Sequence, residues 1–379
     1  MTVVPFESPI LVTRPLVPDM TAFVAQLQPA FDNAWLSNHG RLALALEAAL
    51  AIDLGLDRVA LTPNATLALM VAMRALKLDG EVVTTPFTFA ATPLSATWSG
   101  LTPVFADIDP ATLTIDPSAV ERAITPRTSA ILAVHVFGMP CDLKGLQDVA
   151  DRHGLALVYD SAHAFGTEVD GVPIGRFGDA AVFSLHATKL FHSAEGGVMA
   201  FRDPVVFERA SLMRNYGLPD LPAFDAAGIN AKLSELHAAM GLAVRNMVPA
   251  ERQARAAIRE TYDARLPSIP GVTVFPPVHD VRASLQYYPI LIDEDRFGQS
   301  RDVVLERLLE FNVVARKYFY PLVSSIGIYA ERQPPDLPVA RLIADRVACL
   351  PFYGSMPHDG PARICDMLAH IQANPGAGA

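Results

Sequence analysis

Two ionisable side chains in the middle of the chain suit a chemistry that starts at a carbonyl group. Asp160 follows the apolar run LALVY, and Lys189 comes shortly after the apolar run AAVFSL. Of the 30 Lys and Arg residues in the chain, only five are lysines, so arginine supplies most of the positive charge. Lysine can lose its proton and attack a carbonyl, whereas arginine keeps its charge. We therefore expect a site built around Lys189.

Pyridoxal 5'-phosphate (PLP) is a cofactor whose chemistry would use both side chains. A Schiff base between PLP and a lysine requires an amine whose pKa lies well below the usual value of about 10.4. The ring nitrogen of PLP requires an anion, so that the ring stays protonated and accepts electrons. Lys189 could fill the first role and Asp160 the second.

Other parts of such a site have candidates elsewhere in the chain. Phosphate groups bind to the N–H groups at a helix N-terminus and to hydroxyl groups. Ala65 and Thr66 stand at the start of the predicted helix LALMVAMRAL, and Ser184 offers a hydroxyl close to Lys189. Phe89, in the stretch TTPFTFAAT, could stack on the ring.

Each of these residues also has an ordinary structural explanation. An aspartate at a strand end is commonly a turn or cap residue, and a single lysine is most often a solvated charge. The segment Asn64–Thr66 is an ordinary helix start, and Phe89 fits a hydrophobic core. Only the combination of these residues, in this order, favours a PLP site.

Alternating strand and helix patterns predict the frame that holds these residues. Short apolar runs bounded by turn residues predict strands, and apolar residues at helical spacing predict helices. Their alternation up to residue 201 is typical of a mostly parallel sheet covered by helices. Because such sheets bind ligands at the carboxyl ends of their strands, Asp160 and Lys189 are expected at that edge. The predicted strands include DRVALT, VVTTP, PVFADI, SAILAVHVFG, LALVYD and AAVFSL.

The pattern changes after residue 201 and indicates a second, smaller domain. A helix, the Gly- and Pro-rich loop 216–230 and a long helical region from Lys232 to about Leu266 follow. The last third combines helices with the predicted strands LQYYPILI and VVARKYFY. We expect an α/β protein with a large domain at residues 1–247 and a small α+β domain at residues 248–379.

Composition narrows the class of partner. The formal net charge is −10 without a Lys/Arg-rich run, which argues against nucleic acid and anionic membranes. No apolar stretch reaches the length of a membrane span, and the N-terminus lacks a secretory pattern. Cys141, Cys349 and Cys365 lack metal-site spacing, so we expect reduced thiols, no metal and a cytoplasmic protein. The 51% hydrophobic composition fits a large core together with a subunit interface.

The ordered motifs resemble those of the DegT/DnrJ/StrS family of PLP-dependent nucleotide-sugar aminotransferases, which have fold type I. The resemblance extends from about residue 35 to about residue 320. At two positions the chain differs: Ala65 stands where glycine, with its freer backbone, is usual, and Leu185 stands where phenylalanine is usual. The matching stretches are Asn64-Ala65-Thr66, TTPFTFAAT, PVFADIDPATLTIDP, AVHVFGMPCDL, YDSAHAFG, GDAAVFSLHATK, AEGGVMAF and GINAKLSELHAAMGL.

The resemblance implies roles around the cofactor. Lys189 would hold PLP and carry protons during the reaction, and Asp160 would pair with the ring nitrogen. His163 would lie near the phenolic oxygen, and Phe89 would stack on the ring. His186 is common at its position but has no defined role. The phosphate would be bound by Ala65, Thr66 and Ser184.

The resemblance also implies a second subunit and a sugar-nucleotide site. Asn230 would reach a phosphate in the partner subunit, which implies an obligate homodimer with shared active sites. Tyr318 and the Ser37–Gly40 loop, with Asn38, are candidate contacts to the sugar nucleotide by position alone.

The implied reaction is a ping-pong transamination. L-Glutamate would convert PLP to its pyridoxamine form (PMP) and leave as 2-oxoglutarate, and a nucleotide-linked keto-6-deoxysugar would then receive the amino group. The motifs favour dTDP-4-keto-6-deoxy-D-glucose and the product dTDP-4-amino-4,6-dideoxy-D-glucose. Amination at C3 of a dTDP-linked 3-keto sugar is the alternative. Sugar-dehydrating relatives replace the lysine by histidine, so the presence of Lys189 disfavours that reaction. A non-catalytic PLP-binding regulator would carry a DNA-binding segment, and the acidic net charge disfavours this alternative.

Overall fold

The computed structural model describes residues 3–217, 227–331 and 336–375. The strands are β1 (Ile10–Leu11), β2 (Ala60–Thr62), β3 (Glu81–Thr84), β4 (Thr102–Phe105), β5 (Thr128–Val134), β6 (Ala156–Asp160), β7 (Glu168–Val169), β8 (Val172–Pro173), β9 (Ala180–Ser184), β10 (Gly197–Phe201), β11 (Val272–Val274), β12 (Val281–Arg282), β13 (Tyr288–Ile292), β14 (Val313–Val314) and β15 (Val347–Leu350). The helices are α1 (Met20–Asp32), α2 (Arg41–Asp53), α3 (Ala65–Ala75), α4 (Ala91–Trp98), α5 (Pro117–Ala123), α6 (Leu143–His153), α7 (Pro204–Met213), α8 (Glu235–Arg245), α9 (Val248–Arg265), α10 (Glu294–Phe297), α11 (Arg301–Glu310), α12 (Gly327–Ala330), α13 (Pro338–Arg346) and α14 (Gly360–Ala373).

The largest sheet in the described ranges has seven strands in the order β2-β10-β9-β6-β5-β3-β4. Strands β4, β3, β5, β6 and β9 are parallel, and β10 is antiparallel to both β9 and β2. Successive residues of β5 belong to two different hydrophobic core clusters. Ile131 and Ala133 belong to one cluster, and Ala130 and Leu132 belong to the other. Since side chains alternate across a strand, helices cover both faces of the sheet. The predicted fold class, with a large mixed sheet flanked by helices, is confirmed.

The sheet brings the ends of three predicted strands together. Val134, at the end of β5, pairs with Asp160, and Asp160 pairs with Val182 of β9. Ser184 ends β9, and Lys189 follows in the connection to β10. The carboxyl ends of β5, β6 and β9 therefore form one edge, which carries the residues singled out from the sequence.

Some predicted elements differ from the structure. Helix α4, which begins at Ala91 within TTPFTFAAT, was not predicted, and the helical region after Lys232 is divided into α8 and α9. The predicted strand VVARKYFY is a strand only at Val313 and Val314, because its partner β1 has two residues; beyond them, Arg316 makes a single antiparallel bridge with Cys349. Residues 218–226 of the predicted loop 216–230 lie outside the described residues.

The C-terminal part builds its own sheet and core. Strands β11, β13 and β15 form an antiparallel sheet, with β13 in the middle. The core beside it also contains Phe6 and Ile10, so the N-terminal segment packs with the C-terminal part of the chain. The division into domains at residues 247 and 248 stays a prediction.

The helices and the cysteines can be compared with the expectations drawn from composition. Within the described ranges, no helix has both the length and the apolar character needed to cross a membrane. Cys141, Cys349 and Cys365 are free and buried.

Candidate active site

A pocket of about 310 Å³ lies at the carboxyl edge of the large sheet. It contains most of the residues predicted from the sequence, which come from distant parts of the chain. Asn38 and Asn230 do not line it, and both are exposed in the single chain. The predicted residues that line the pocket are Ala65, Thr66, Phe89, Asp160, His163, Ser184, His186, Lys189 and Tyr318.

Lys189 has an unusually acidic amine for a lysine. Burial lowers the pKa of the amine to about 8, although the negative charge of Asp160 opposes part of this shift. Nζ lies 5.9 Å from the centre of the Tyr287 ring, which forms one wall of the pocket. At neutral pH such an amine is uncharged about a tenth of the time, so that it can act as a nucleophile.

Asp160 is a buried carboxylate with two hydrogen-bond donors. Its Oδ2 accepts from the Thr92 hydroxyl at 2.7 Å, and its Oδ1 accepts from the Ala162 N–H at 3.0 Å. Burial raises the pKa of Asp160, and these two donors together with the charge of Lys189 oppose the rise. A carboxylate that is desolvated in this way gains much from a cationic partner.

His163 is a neutral imidazole whose tautomer is defined by the backbone. Its Nδ1 accepts a hydrogen bond from the Phe137 N–H at 3.1 Å, so the ring proton lies on Nε2. Burial and the charge of Lys189 hold the pKa of His163 well below its ordinary value. The ring lies parallel to that of Phe319, with 6.0 Å between their centres. His163 therefore offers one fixed N–H donor.

The start of helix α3 forms another side of the pocket. Asn64 caps this helix, because its side chain accepts a hydrogen bond from the Leu67 N–H at 2.9 Å. The amides of Ala65 and Thr66 come first in the helix and have no partner within it. Ala65 has a helical backbone and no positive φ, so alanine is accommodated where glycine is usual. The Ser184 hydroxyl lies in the same pocket.

Phe89, His186 and Tyr318 complete the predicted set. Phe89 is 64% exposed although it lines the pocket, so one face of its ring is open to a ligand. His186 Nδ1 lies 2.9 Å from the Thr188 hydroxyl. Tyr318 packs edge-on against Tyr287, with 5.5 Å between the ring centres.

Several residues in or next to the site were not predicted from the sequence. Thr88 and Thr92 are four residues apart, and their hydroxyls lie 2.9 Å apart, so Thr88 extends the hydrogen bonding of Asp160. The Thr-rich stretch TTPFTFAAT was a signal for them, but α4 was not predicted. Tyr287 and its neighbour Gln286 belong to LQYYPILI, where one polar residue in an apolar run was the signal.

The residues present fit PLP. A nucleophilic lysine, a buried carboxylate and a fixed N–H donor suit the aldehyde, ring nitrogen and phenolic oxygen of this cofactor, respectively. The N-terminus of α3 suits a phosphate, and the open face of Phe89 suits an aromatic ring. The fold and the site together define a PLP-dependent aminotransferase of fold type I.

Comparison with known proteins agrees with this class. The model of the DegT/DnrJ/EryC1/StrS aminotransferase family matches residues 19–369. The chain belongs to this family and is a PLP-dependent sugar aminotransferase.

Two curated relatives match along almost the whole chain. Both are called dTDP-4-amino-4,6-dideoxy-D-glucose transaminase. The protein from Escherichia coli is 37% identical, with 96% of this chain and 98% of the relative covered. The protein from Shigella dysenteriae is 38% identical, with 97% of this chain and 100% of the relative covered.

Among solved structures, DesI, crystallised in the presence of its TDP-sugar product, superposes with a TM-score of 0.94 at 40% identity. The superposition covers 98% of this chain and 95% of DesI.

Proposed function

We propose that the protein transfers the amino group of L-glutamate to C4 of dTDP-4-keto-6-deoxy-D-glucose. The product is dTDP-4-amino-4,6-dideoxy-D-glucose. The observation that carries the proposal is the amine of Lys189, with a pKa of about 8, in one pocket with the buried carboxylate of Asp160. The choice of sugar is supported by the names of the two curated relatives. Free, buried cysteines support a cytoplasmic location.

Lys189 and Asp160 have the central roles. Bound PLP supplies an electron sink, which makes the Cα–H bond of an amino acid breakable. Lys189 would hold the cofactor through Nζ, and this nitrogen, once free, would take the substrate proton as a general base and return it as a general acid. Asp160 would pair with the protonated ring nitrogen and maintain its charge.

The other residues bind and orient. His163 would donate a hydrogen bond from its Nε2–H to the phenolic oxygen, and the amides of Ala65 and Thr66 with the Ser184 hydroxyl would hold the phosphate. Phe89 would cover one face of the ring. His186 supports the loop of Lys189 through Thr188. We assign Tyr318, which lines the pocket, to the sugar nucleotide, whereas a contact from Asn38 stays a prediction from its position in the sequence alone.

The active unit is a homodimer with shared sites. Asn230 is exposed and does not line the pocket of its own chain, which is what a residue that reaches a partner's phosphate requires. Helix α1 exposes Met20, Val24 and Phe31, which are 71%, 48% and 57% exposed and lie on one helical face. An exposed apolar helix face supports a subunit interface.

The first experiment tests the cofactor and the lysine. Borohydride should join PLP irreversibly to the peptide that contains Lys189, and the visible absorbance of the Schiff base should disappear. Lys189→Ala should show neither result, with Lys144→Ala as the control for an exposed lysine. A Lys189→Ala protein that still binds PLP covalently would refute the assignment.

The second experiment tests the substrate. Incubation with dTDP-4-keto-6-deoxy-D-glucose and L-glutamate should give the 4-amino sugar and 2-oxoglutarate, with the new C–N bond located by NMR. Turnover of a dTDP-linked 3-keto sugar in its place would favour amination at C3 and contradict the proposal.

The third experiment tests the shared sites. Lys189→Ala and Asn230→Ala dimers should each be nearly inactive. In a hybrid dimer both defects fall in one site and the other site is intact, so mixing and reassembly should restore about a quarter of wild-type activity. No recovery in reassembled hybrids would contradict the shared site.

A further inference from the structure

A buried glutamine holds the backbone on both sides of Lys189. Nε2 of Gln286 donates a hydrogen bond to the carbonyl oxygen of Thr188 at 2.9 Å. Oε1 of Gln286 accepts one from the N–H of Leu190 at 2.7 Å. Gln286 is 2% exposed, so water does not compete for these bonds. One carboxamide thus makes the pair of bonds that a parallel strand would make around Lys189.

Lys189 depends on such support because it lies outside regular structure. It is part of the connection between β9 and β10, and its own N–H donates to the carbonyl oxygen of His186 at 2.8 Å. A lysine side chain has many rotamers, so the position of its amine depends on the direction of the Cα–Cβ bond. The two peptide groups next to Lys189 set this direction, and Gln286 binds both of them.

Gln286 is in turn held by a buried ion pair. Nη1 of Arg255 donates to the carbonyl oxygens of Leu285 and Gln286 at 3.0 and 3.3 Å, and its Nε donates to Glu251 at 2.6 Å. Arg255 is 1% exposed. The support therefore runs from helix α9 through Gln286 to the loop of Lys189.

We propose that Gln286 is a positioning residue that sets the direction of the Lys189 amine for proton transfer. The proposal rests on the proposed function, because it requires Lys189 to be the reactive lysine. Gln286 itself does not line the pocket, so it acts through Lys189 and not on the substrate. A purely structural role would lower the stability of the protein and leave the proton-transfer step unchanged in the folded molecules.

The test compares three variants. Gln286→Leu removes both hydrogen bonds at nearly constant size, and Gln286→Glu keeps an acceptor for the Leu190 N–H. Gln299→Leu is the matched control, because Gln299 is also buried and its amide donates to the Ile371 carbonyl at 3.1 Å and accepts from Arg307 at 3.3 Å, outside the pocket.

The first measurement is the single-turnover rate of amino transfer from L-glutamate in PLP-loaded protein. Gln286→Leu should be 10- to 100-fold slower, since misplacing a reacting group by about 1 Å costs up to that factor. In Gln286→Leu the kinetic isotope effect with 2-deuterated glutamate should increase, and the KM for L-glutamate should change little. Gln286→Glu should fall between wild type and Gln286→Leu, and Gln299→Leu should keep the wild-type rate.

The second measurement uses the protein without cofactor. Competitive labelling with acetic anhydride across a pH series gives the pKa of each lysine amine, with the four other lysines as internal references. In Gln286→Leu the pKa of Lys189 should move upward from about 8, because a less constrained amine reaches water.

The outcomes separate the two proposals. If borohydride fails to link PLP to Lys189 in the wild-type protein, the proposed function fails. If that link forms and Gln286→Leu keeps the wild-type rate and isotope effect, the positioning role is refuted. Should Gln286→Leu not fold, wild-type rates in Gln286→Glu would refute it equally.

Discussion

The Thr92 hydroxyl donates a hydrogen bond to Oδ2 of Asp160 at 2.7 Å, and both side chains are buried. The bond favours the charged carboxylate against the burial that raises its pKa. Because the Thr92 proton is used in this way, the Thr88 hydroxyl donates in the 2.9 Å contact between the two threonines. Two hydroxyls in series thus support the charge that the proposed pairing of Asp160 with a cationic ring nitrogen requires.

Replacing Thr92 should weaken cofactor binding. Thr92→Val keeps the shape and removes a hydrogen bond to a charged group, which contributes about 1.5–3 kcal/mol, so the Kd for PLP should rise by about 10- to 100-fold. Titration of the protein without cofactor, followed by absorbance, measures the Kd. Thr92→Ser keeps the hydroxyl and should bind nearly as the wild type does. Equal Kd values for Thr92→Val and wild type would contradict the role given to this bond.

Capture of PLP should depend on pH through Lys189. The uncharged amine reacts, so the rate of covalent binding should rise with pH, with a midpoint near 8. Asp160→Asn removes the negative charge that raises the pKa of this lysine, and the midpoint should therefore move below that of the wild type. Stopped-flow absorbance at several pH values measures both midpoints. A shift to higher pH in Asp160→Asn would contradict the assigned coupling.

Lys189 should reduce the stability of the protein at neutral pH. The pKa of Lys189 is about 8 in the folded state and about 10.4 in an unfolded chain. Between these two pH values the unfolded state binds more protons than the folded state, so the free energy of unfolding rises with pH. At pH 7, Lys189→Met without cofactor should be more stable than wild type by about 1–3 kcal/mol. Above about pH 10.4 this difference should vanish.

Denaturant unfolding at both pH values checks this prediction. Lys144→Met, at a lysine that is 86% exposed, serves as the control and should change the free energy of unfolding by less than about 0.5 kcal/mol. A Lys189→Met protein that is less stable than wild type at pH 7 would contradict the unfavourable burial of the ammonium group.

The Glu235 side chain caps helix α2 and should thereby stabilise the Ser37–Gly40 loop, which directly precedes this helix. The buried Glu235 carboxylate accepts hydrogen bonds from the N–H groups of Leu42 and Ala43 at 2.8 and 3.1 Å, at the start of α2. Glu235→Ala should therefore lower the free energy of unfolding by about 1–3 kcal/mol, as measured in denaturant.

Gly40 offers a way to test that cap independently. A Cβ at Gly40 would lie 2.6 Å from the Glu235 carboxylate, so Gly40→Ala should also destabilise the protein. In the Gly40→Ala, Glu235→Ala double variant the clash is gone, and the combined loss should be smaller than the sum of the two single losses. Strict additivity would show that the two sites do not interact.

The centre of the candidate active site was predictable from local pattern. Asp160 and Lys189 follow apolar strand patterns, and strand ends of a parallel sheet meet at one edge, so spacing along the chain was enough to bring the two together. The start of α3 was predictable for a similar reason, since Asn64 is a typical cap residue.

The supporting residues were not predictable in the same way. Gln286 lies 97 positions after Lys189, and Glu235 lies far from the helix it caps. Nothing in the local sequence of either residue indicates its partner, because the contact exists only after the chain has packed. The strand expected at VVARKYFY failed for the same reason: β propensity is local, but a strand forms only as far as a partner strand extends.

The sequence by itself determined the α/β class and singled out Lys189, Asp160 and the start of α3 as the candidate site, because these inferences depend on residue type and on periodicity. Tertiary structure alone decided the pKa of Lys189, the tautomer of His163 and the hydrogen bonds of Gln286 around the lysine. Those properties depend on burial and on which groups meet across the fold, and one-dimensional spacing does not contain that information.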